Sequence, residues 1–298
     1  MENDAAVSFN DRWSARSESD TSAEAVIRLL RRAADYLQTL GPVVVREIVL
    51  AREADGLTLT ASFDRTRMAV DLDYLDPRMA AQFDDGDGER DDFDFVVALA
   101  GELDAATIVD LGCGTGRLAT LLAGRGRRVI GVDPAPAMLD VARCRDGASE
   151  VEWVLGDASA IGMRDADLVV MTGNIALAIV EDHAWDATLD AIRGAIRPGG
   201  YLVFSSMNPS VRPWEAWNTG GMELISVRGD RVRVDGHVTF ESGEAIVAGS
   251  EYRFRALDQL AESLTMAGFL VERTYGDWQS SPLTTDSPDI VIVARRPG

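Results

Sequence analysis

The stretch Val109-Asp110-Leu111-Gly112-Cys113-Gly114-Thr115-Gly116 combines an apolar start, an acid and three glycines at alternate positions. Glycine has no Cβ, so the backbone at these positions can turn tightly and a ligand can approach it closely. A turn of this kind after an apolar strand is typical of nucleotide-binding loops in α/β sheets. We therefore predict a ligand-binding turn between a strand and a helix.

Apolar runs and helical patterns alternate along the chain from Asp104 onward. A strand at 107–111 leads into the glycine loop, and a helix is predicted from Arg117 to Ala123. Such alternation indicates a parallel sheet with helices on both faces, so we predict a doubly wound, mostly parallel, seven-stranded α/β sheet. The other predicted strands are 128–133, 151–155, 168–171, 201–205, 271–275 and 290–294, and the other predicted helices are 136–145, 185–197 and 257–267.

The apolar pattern changes to a period of two between Met222 and Phe254, where Val232, Val234 and Val238 are separated by polar residues or glycine. This pattern predicts an antiparallel β-meander. We place it as an insertion at about 210–254 in a main domain of residues 76–298.

The residues before the main domain divide into two regions. Acidic and polar residues dominate 1–20, which predicts a disordered tail. Residues 21–75 predict a small N-terminal αββ unit, with a helix that opens at Ser22 and strands at 43–50 and 57–63. We expect this unit to serve dimerisation or to act as a lid. Residues 84–92 are predicted to be an acidic loop.

The composition excludes several classes of function. The chain has 298 residues and a formal net charge of −20, so its field repels nucleic acid and anionic membrane surfaces. All 29 basic residues are Arg, and the absence of Lys excludes a lysine Schiff base and a Walker A loop. Two Cys and two His residues match no zinc pattern at these spacings, so no metal site is predicted.

The expected location is cytoplasmic. No apolar run approaches the roughly 18 residues of a membrane-spanning segment. The start of the chain lacks the basic residues and the apolar centre of a signal peptide. Cys113 and Cys144 lie on separate predicted elements, which favours a reducing compartment.

Acids end or follow the first three strands of the main domain, at Asp110, Asp133 and Asp157. The carboxyl ends of parallel strands meet at one edge of the sheet, and ligands of open α/β sheets bind at that edge. Asp133 lies 23 residues after Asp110. This is close to the roughly 20-residue spacing at which an acid bonds a ribose hydroxyl in dinucleotide folds.

The glycine spacing distinguishes between two kinds of cofactor. Dinucleotide-binding loops have Gly-x-Gly-x-x-Gly, whereas this loop has Gly-x-Gly-x-Gly. An acid beside the loop would repel a pyrophosphate but can bond an ammonium group. S-adenosylmethionine carries an ammonium group and a ribose diol but no phosphate, so we predict it as the cofactor in preference to NAD.

Five motifs in order resemble those of the class I, seven-stranded S-adenosylmethionine-dependent methyltransferases. The glycine loop resembles the first motif of that family, residues 132–139 the second and Gly156-Asp157-Ala158 the third. Residues 167–173 resemble the fourth-strand motif, and 197–200 the turn before strand five. The resemblance covers about residues 76–298. The meander and the segment at 275–278 resemble bacterial small-molecule methyltransferases, including the N-methyltransferases of amino sugars.

The resemblance implies how the cofactor would be held. Its methionine part would be lined by the three loop glycines, with Asp110 near the ammonium group. The ribose diol would be held by Asp133. The adenine would be contacted by residues that follow the second and third strands, namely Pro134, Met138, Asp157 and the backbone of Ala158. Thr172, Gly173 and Asn174 would lie beside the methyl donor.

One departure from the family concerns the segment before the first motif. The family often has a Tyr-Asp pair there, whose Tyr can touch the cofactor carboxylate. This chain has Phe83-Asp84 instead, so that hydroxyl is missing.

The expected function is methyl transfer from S-adenosylmethionine to a small-molecule acceptor, at nitrogen or oxygen. No residue stands out as a base, and the catalytic candidates are Asn174, His183, Tyr252 and Asp94. Trp214 and Trp217 either wall the acceptor site or pack the meander. Two alternatives are a non-catalytic S-adenosylmethionine-binding regulator and a nucleotide-dependent oxidoreductase. A homodimer is left open.

Overall fold

The strands predicted around the glycine loop form the centre of a seven-stranded sheet in the structure, a computed structural model. The structure describes residues 11–18, 26–27, 30–31, 44–53, 56–64, 76–84, 90–217, 221–240 and 245–298. Its strands are β1 (Asp11–Glu18), β2 (Val44–Glu53), β3 (Gly56–Asp64), β4 (Thr107–Leu111), β5 (Arg128–Asp133), β6 (Val151–Leu155), β7 (Ala166–Met171), β8 (Ile196–Met207), β9 (Met222–Arg228), β10 (Arg231–Thr239), β11 (Ala245–Arg253), β12 (Leu270–Tyr275) and β13 (Asp289–Arg295). Its helices are α1 (Pro77–Gln82), α2 (Asp91–Glu102), α3 (Arg117–Ala123), α4 (Pro136–Arg143), α5 (Ile175–Ala178), α6 (Asp182–Ala195) and α7 (Leu257–Met266).

The larger sheet has the strand order β12-β13-β8-β7-β4-β5-β6. Its five strands from β4 to β8 are parallel to one another, whereas β13 runs antiparallel to β8 and β12 antiparallel to β13. The predicted class, a mostly parallel seven-stranded α/β sheet, is confirmed. This order places the end of β4, where the glycine loop begins, between the ends of β5 and β7.

Both faces of the larger sheet are covered, because its central strands are apolar on both sides. Ile108 packs with residues of α2 and α3 on one face. Val109, its neighbour in β4, packs on the opposite face with residues of α6 and α7. Successive side chains of a strand point to opposite faces, so this continuous apolar run fills two cores.

Helix α2 corrects the prediction of an acidic loop at 84–92, since the helix already begins at Asp91. Its first turn contains Asp91, Asp92 and Asp94. Acids in the first turn of a helix are favoured by the partial positive charge of the helix N-terminus. Val96 and Leu99 of α2 are buried in the core of that face. Asp91 and Asp92, the last two acids of the predicted loop, are therefore a helix start, and residues 85–89 of that prediction lie outside the described residues.

The second sheet is antiparallel and has the strand order β2-β3-β1-β11-β10-β9. The predicted hairpin of the N-terminal unit and the predicted meander are both present. Strand β1 joins them, because it pairs with β3 on one side and with β11 on the other. The prediction that 1–20 form a disordered tail is therefore wrong for residues 11–18. Pairing on both sides satisfies the backbone hydrogen bonds of β1, whatever the polarity of its side chains.

Little of the predicted N-terminal helix is described. Residues 26–27 and 30–31 are helical, and the rest of the predicted helix lies outside the described residues, as do 1–10. Within the described part of the chain, every helix is too short or too polar to span a lipid bilayer.

Candidate active site

The glycine loop connects β4 to α3 at the carboxyl edge of the larger sheet. Its first two backbone N–H groups, those of Gly112 and Cys113, donate to the carbonyl of Val132 at 2.7 and 3.1 Å. Gly112 and Gly116 have φ angles of +76° and +79°, a left-handed conformation that side chains with a Cβ rarely adopt. The predicted tight turn is confirmed, and it is tied to the end of β5.

The indole of Trp153 on β6 packs closely against Gly116. A Cβ at Gly116 would lie 2.5 Å from Cη2 of Trp153 and 2.9 Å from the Cβ of Ala142. The indole Nε1 donates to the carbonyl of Ala148 at 3.0 Å, which restricts the movement of the ring. Gly116 is therefore required both for its backbone conformation and for the space that it leaves.

Gly116→Ala is expected to destabilise the protein more than Gly126→Ala. Gly126 has a similar φ of +76°, but a Cβ there would meet nothing within 4 Å. The control should therefore lose only the backbone term of about 1 kcal/mol. Overpacking against Trp153 should cost Gly116→Ala about 2 kcal/mol more. Urea unfolding of the two variants measures the difference. Equal losses of stability would show that the ring of Trp153 moves aside at no cost in free energy.

Asp133 ends β5 and holds the glycine loop from the side. Its Oδ2 accepts from the N–H of Gly114 at 2.8 Å, and its Oδ1 accepts from the N–H of Ala135 at 2.8 Å. Burial raises the pKa of Asp133 to about 6, against the lowering effect of these two hydrogen bonds. A carboxylate can accept about four hydrogen bonds. The two backbone donors thus leave acceptor capacity for a ligand.

Asp110 is the most buried acid of the site. Its side chain is 1% exposed, and its Oδ2 has no hydrogen-bond partner within the described residues. Burial raises the pKa of Asp110 to about 7, helped by the nearby charges of Asp133 and Asp92 and opposed by Arg90. A buried polar atom without a partner costs free energy. This oxygen is consequently a place where a ligand that donates hydrogen bonds would be stabilised.

Arg90 lies near enough to Asp110 for its charge to lower the pKa of that acid, and the sequence analysis missed it. Its Nε and Nη2 donate to the two carboxylate oxygens of Asp92 at 2.9 and 2.8 Å. A Cβ at Gly173 would lie 3.9 Å from its Nη2. A guanidinium paired with Asp92 therefore lies close to Gly173, which follows β7. The only sequence signal was a lone Arg within an acidic stretch, which does not indicate a site.

Thr172, Gly173 and Asn174 follow β7 at the same edge, because β7 is the parallel neighbour of β4. Thr172 is buried, and Asn174 is the residue before the short helix α5, with a φ of +60° and no capping hydrogen bond from its side chain. The hydroxyl of Ser205 donates to Oδ1 of Asn174 over 3.4 Å. The structure thus brings Thr172 and Asn174 to the edge where the glycine loop lies. Their predicted place beside a methyl donor stays a prediction.

The residues predicted to contact adenine lie after β5 and β6. Asp157 caps a short 3₁₀ turn, and its Oδ1 accepts from the N–H and the hydroxyl of Ser159 at 2.9 and 2.5 Å. Ala158 and Met138 are buried, at 4% and 2% exposed, and Pro134 is partly exposed. The capping role of Asp157 is shown, and the adenine contacts of these residues stay predictions.

The structure places His183 and Tyr252, two of the predicted catalytic candidates, on α6 and β11, and their catalytic roles stay predictions. His183 is exposed in the first turn of α6, where it contributes to the lowered pKa of Glu181 behind the larger effect of Arg231. Tyr252 on β11 packs edge-on against Trp217, with ring centroids 5.6 Å apart. Asp94, named with them, is exposed on α2.

Of the two expectations for Trp214 and Trp217, the contacts show packing against the meander. Trp214 packs edge-on against Phe254 with ring centroids 4.6 Å apart, and the ring of Trp217 lies 5.6 Å from the same residue. Trp214 is buried, and its Nε1 has no partner within the described residues. A contact of either ring with an acceptor stays a prediction.

Asp289 is a third acid at this edge of the larger sheet whose pKa is raised. Asp289 starts β13, which is antiparallel to β8, so that its first residue lies opposite Met207 at the end of β8. Burial raises the pKa of Asp289 to about 6, with further contributions from Asp277 and Asp92. Several carboxyl groups thus face the end of the sheet where the glycine loop lies.

The sequence matches known methyltransferases in its central region. Residues 108–200 match the model of a methyltransferase domain. A malonyl-[acyl-carrier protein] O-methyltransferase from Serratia marcescens is 31% identical over 40% of this chain and 45% of its own length. A ubiquinone biosynthesis O-methyltransferase from Alkalilimnicola ehrlichii is 33% identical over 39% of this chain and 47% of its own length. The chain thus spans about half the length of these curated relatives.

Comparison with solved structures extends the likeness beyond this region. The CcbJ methyltransferase from Streptomyces caelestis superposes with a TM-score of 0.60, covering 76% of this chain and 98% of that protein. The two sequences are 20% identical, so the comparison establishes a shared fold.

Proposed function

We propose that the protein transfers a methyl group from S-adenosylmethionine to a small-molecule acceptor, and that residues 108–200, which match the model of a methyltransferase domain, carry this activity. The observation that carries this proposal is the buried Oδ2 of Asp110, which lacks a hydrogen-bond partner at the start of the glycine loop. An ammonium group is a suitable ligand for it, because it supplies both the missing donor and an opposite charge.

The other charged groups of the site suit the remaining parts of the cofactor. Arg90 lies close enough to Asp110 to oppose the rise of its pKa. The carboxylate of Asp110 and the guanidinium of Arg90 would suit the ammonium and carboxylate groups of an amino acid, respectively. Asp133 keeps acceptor capacity for a ribose diol after its bonds to Gly114 and Ala135. A pyrophosphate would instead meet the negative charges of Asp110 and Asp133.

The chain's own contribution to the reaction is binding and alignment. When bound, the cofactor supplies a methyl group already activated by a positively charged sulfur. The glycine loop and the 172–174 segment would hold it at the sheet edge, and burial of Asp110 keeps water from its carboxylate. Correct alignment of two reactants can lower a barrier by about 7–11 kcal/mol. A strong base is needed only for a hydroxyl acceptor, because a neutral amine already has a lone pair.

The acceptor would bind above the carboxyl ends of β7 and β8 and the start of β13. Carboxyl groups at this edge favour a cationic molecule, so an amine is the preferred acceptor within the class of small molecules. Among the catalytic candidates, Asn174 is the nearest to the proposed donor position; its amide is not a base, and it would orient the acceptor by hydrogen bonding. His183, exposed on α6, and Tyr252, packed against Trp217, remain catalytic candidates. Three expectations from the sequence stay predictions: that nucleic acid is not a partner, that the location is cytoplasmic, and that a homodimer is possible.

Incubation of the protein with S-adenosylmethionine labelled in its methyl group, together with a panel of small amines and alcohols, tests the proposal. We expect label to appear in an amine and adenosylhomocysteine to form in equal amount. Boiled protein and the Asp133→Ala variant serve as controls. Tight cofactor binding without transfer to any panel member would favour a regulator that only binds the cofactor.

A further inference from the structure

Residues 76–84, which we call the strap, contact both the glycine loop and the inserted meander, strands β9 to β11 of the second sheet. Asp76 caps α1 by accepting from the N–H of Arg78 at 2.9 Å. The guanidinium of Arg78 lies 3.6 Å from the ring centroid of Phe240, just after β10. Helix α1 packs against α4, which follows β5. The strap thus contacts elements on both sides of the glycine loop.

The end of the strap is bonded to the loop itself. The hydroxyl of Thr115 donates to Oδ1 of Asp84 at 2.8 Å. The other carboxylate oxygen of Asp84 accepts from Nη2 of Arg145, and Nε of Arg145 donates to the carbonyl of Thr115. These three residues form a closed triangle across the strap, the glycine loop and the turn after α4.

Two features indicate that this triangle serves the loop and not only the strap. Thr115 is 3% exposed, so its hydroxyl needs a partner inside the protein, and Asp84 is that partner. Thr115 also stands between Gly114 and Gly116, which both have positive φ angles. A loop of glycines has high conformational freedom, and ordering it on ligand binding costs free energy.

We propose that Asp84 is a positioning residue that, with Arg145 and Thr115, holds the glycine loop in its cofactor-binding conformation before the cofactor arrives. The inference rests on the proposed function, because it assigns this loop to the methionine part of S-adenosylmethionine. Asp84 need not contact the cofactor. Its carboxylate acts through Thr115, and the strap thereby links the inserted sheet to the cofactor site.

The test is calorimetric titration at pH 8 of the full-length wild type, Asp84→Asn, Thr115→Val and the double variant. S-adenosylmethionine and adenosine are the two ligands. Asp84→Asn is expected to weaken S-adenosylmethionine binding about tenfold, as expected for a lost charge-assisted hydrogen bond. Adenosine lacks the methionine part, so its affinity should change less than twofold. The double variant should bind S-adenosylmethionine about as weakly as Asp84→Asn, because both changes break one triangle.

Asp140→Asn is the matched control. It removes the same charge from an exposed ion pair with Arg143 on α4 and should leave both affinities unchanged. Unchanged S-adenosylmethionine affinity in Asp84→Asn, or equal losses for both ligands, would overturn the positioning role while leaving the proposed function intact. A wild type that does not bind S-adenosylmethionine would overturn the proposed function and this inference together.

Discussion

Asp110→Asn is expected to stabilise the ligand-free protein at pH 8 and to remove most of its affinity for S-adenosylmethionine. Burial raises the pKa of Asp110 from 3.8 to about 7, so the native state disfavours the charged carboxylate. Between these two pH values the folded protein binds more protons at this site than the unfolded chain. Stability therefore falls as the pH rises through this window, by up to roughly 4 kcal/mol in all.

The asparagine variant lacks this titration. The free energy of unfolding of Asp110→Asn should exceed that of the wild type only slightly near pH 4 and by about 2 kcal/mol at pH 8. The gain stays below the full cost of the charge because the buried amide retains an unsatisfied group. Urea unfolding at both pH values measures the gain, and calorimetry measures the loss of cofactor affinity. Asp140→Asn, which removes an exposed acid, should change neither quantity. A variant less stable than the wild type at pH 8 would contradict the assigned cost of the charge.

Asp133→Ala is expected to weaken S-adenosylmethionine binding by about 100-fold. The variant loses both the proposed acceptor for the ribose diol and the carboxylate that accepts a hydrogen bond from the glycine loop. The N–H groups of Gly114 and Ala135 would lose their carboxylate partner. One buried donor at Ala135 and one partly buried donor at Gly114, both without their partner, should lower the free energy of unfolding by about 2 kcal/mol. Thermal unfolding and calorimetric titration measure the two effects separately.

Asp167→Ala provides the matched control. Asp167 also accepts from two backbone N–H groups, those of Ala106 and Thr107 at 2.9 and 2.8 Å, but at the amino end of β4. Asp167→Ala should cost less stability, because water can reach these donors, and should leave cofactor affinity unchanged, since Asp167 lies at the opposite edge of the sheet. Equal losses of affinity in the two variants would mean that Asp133 acts only through stability.

The central fold was predictable because its signals are local in the sequence. Strands β4 and β5 and the turn at Gly112–Gly116 each follow from a few consecutive residues. The confirmed turn depends on left-handed backbone angles, which glycine spacing alone indicates. The acids at strand ends were predictable too, because parallel strands bring their carboxyl ends to one edge.

The parts that the sequence did not reveal depend on contacts between distant residues. Strand β1 pairs with β11, more than two hundred residues later in the chain, and its polar composition hid it. Asp84 bonds Arg145 across a separation of 61 residues. Arg90 reaches Gly173 only after α2 has packed on the sheet. No local pattern carries such information, because tertiary packing decides these pairs.

The measurement that tests the central claim most directly is calorimetric titration of the wild type at pH 8 with S-adenosylmethionine and, separately, with NAD. Above pH 7 the carboxylates of Asp110 and Asp133 are mostly charged, which favours an ammonium ligand and opposes a pyrophosphate. We predict one S-adenosylmethionine bound per chain and no measurable binding of NAD. Tight binding of NAD, with none of S-adenosylmethionine, would contradict the account.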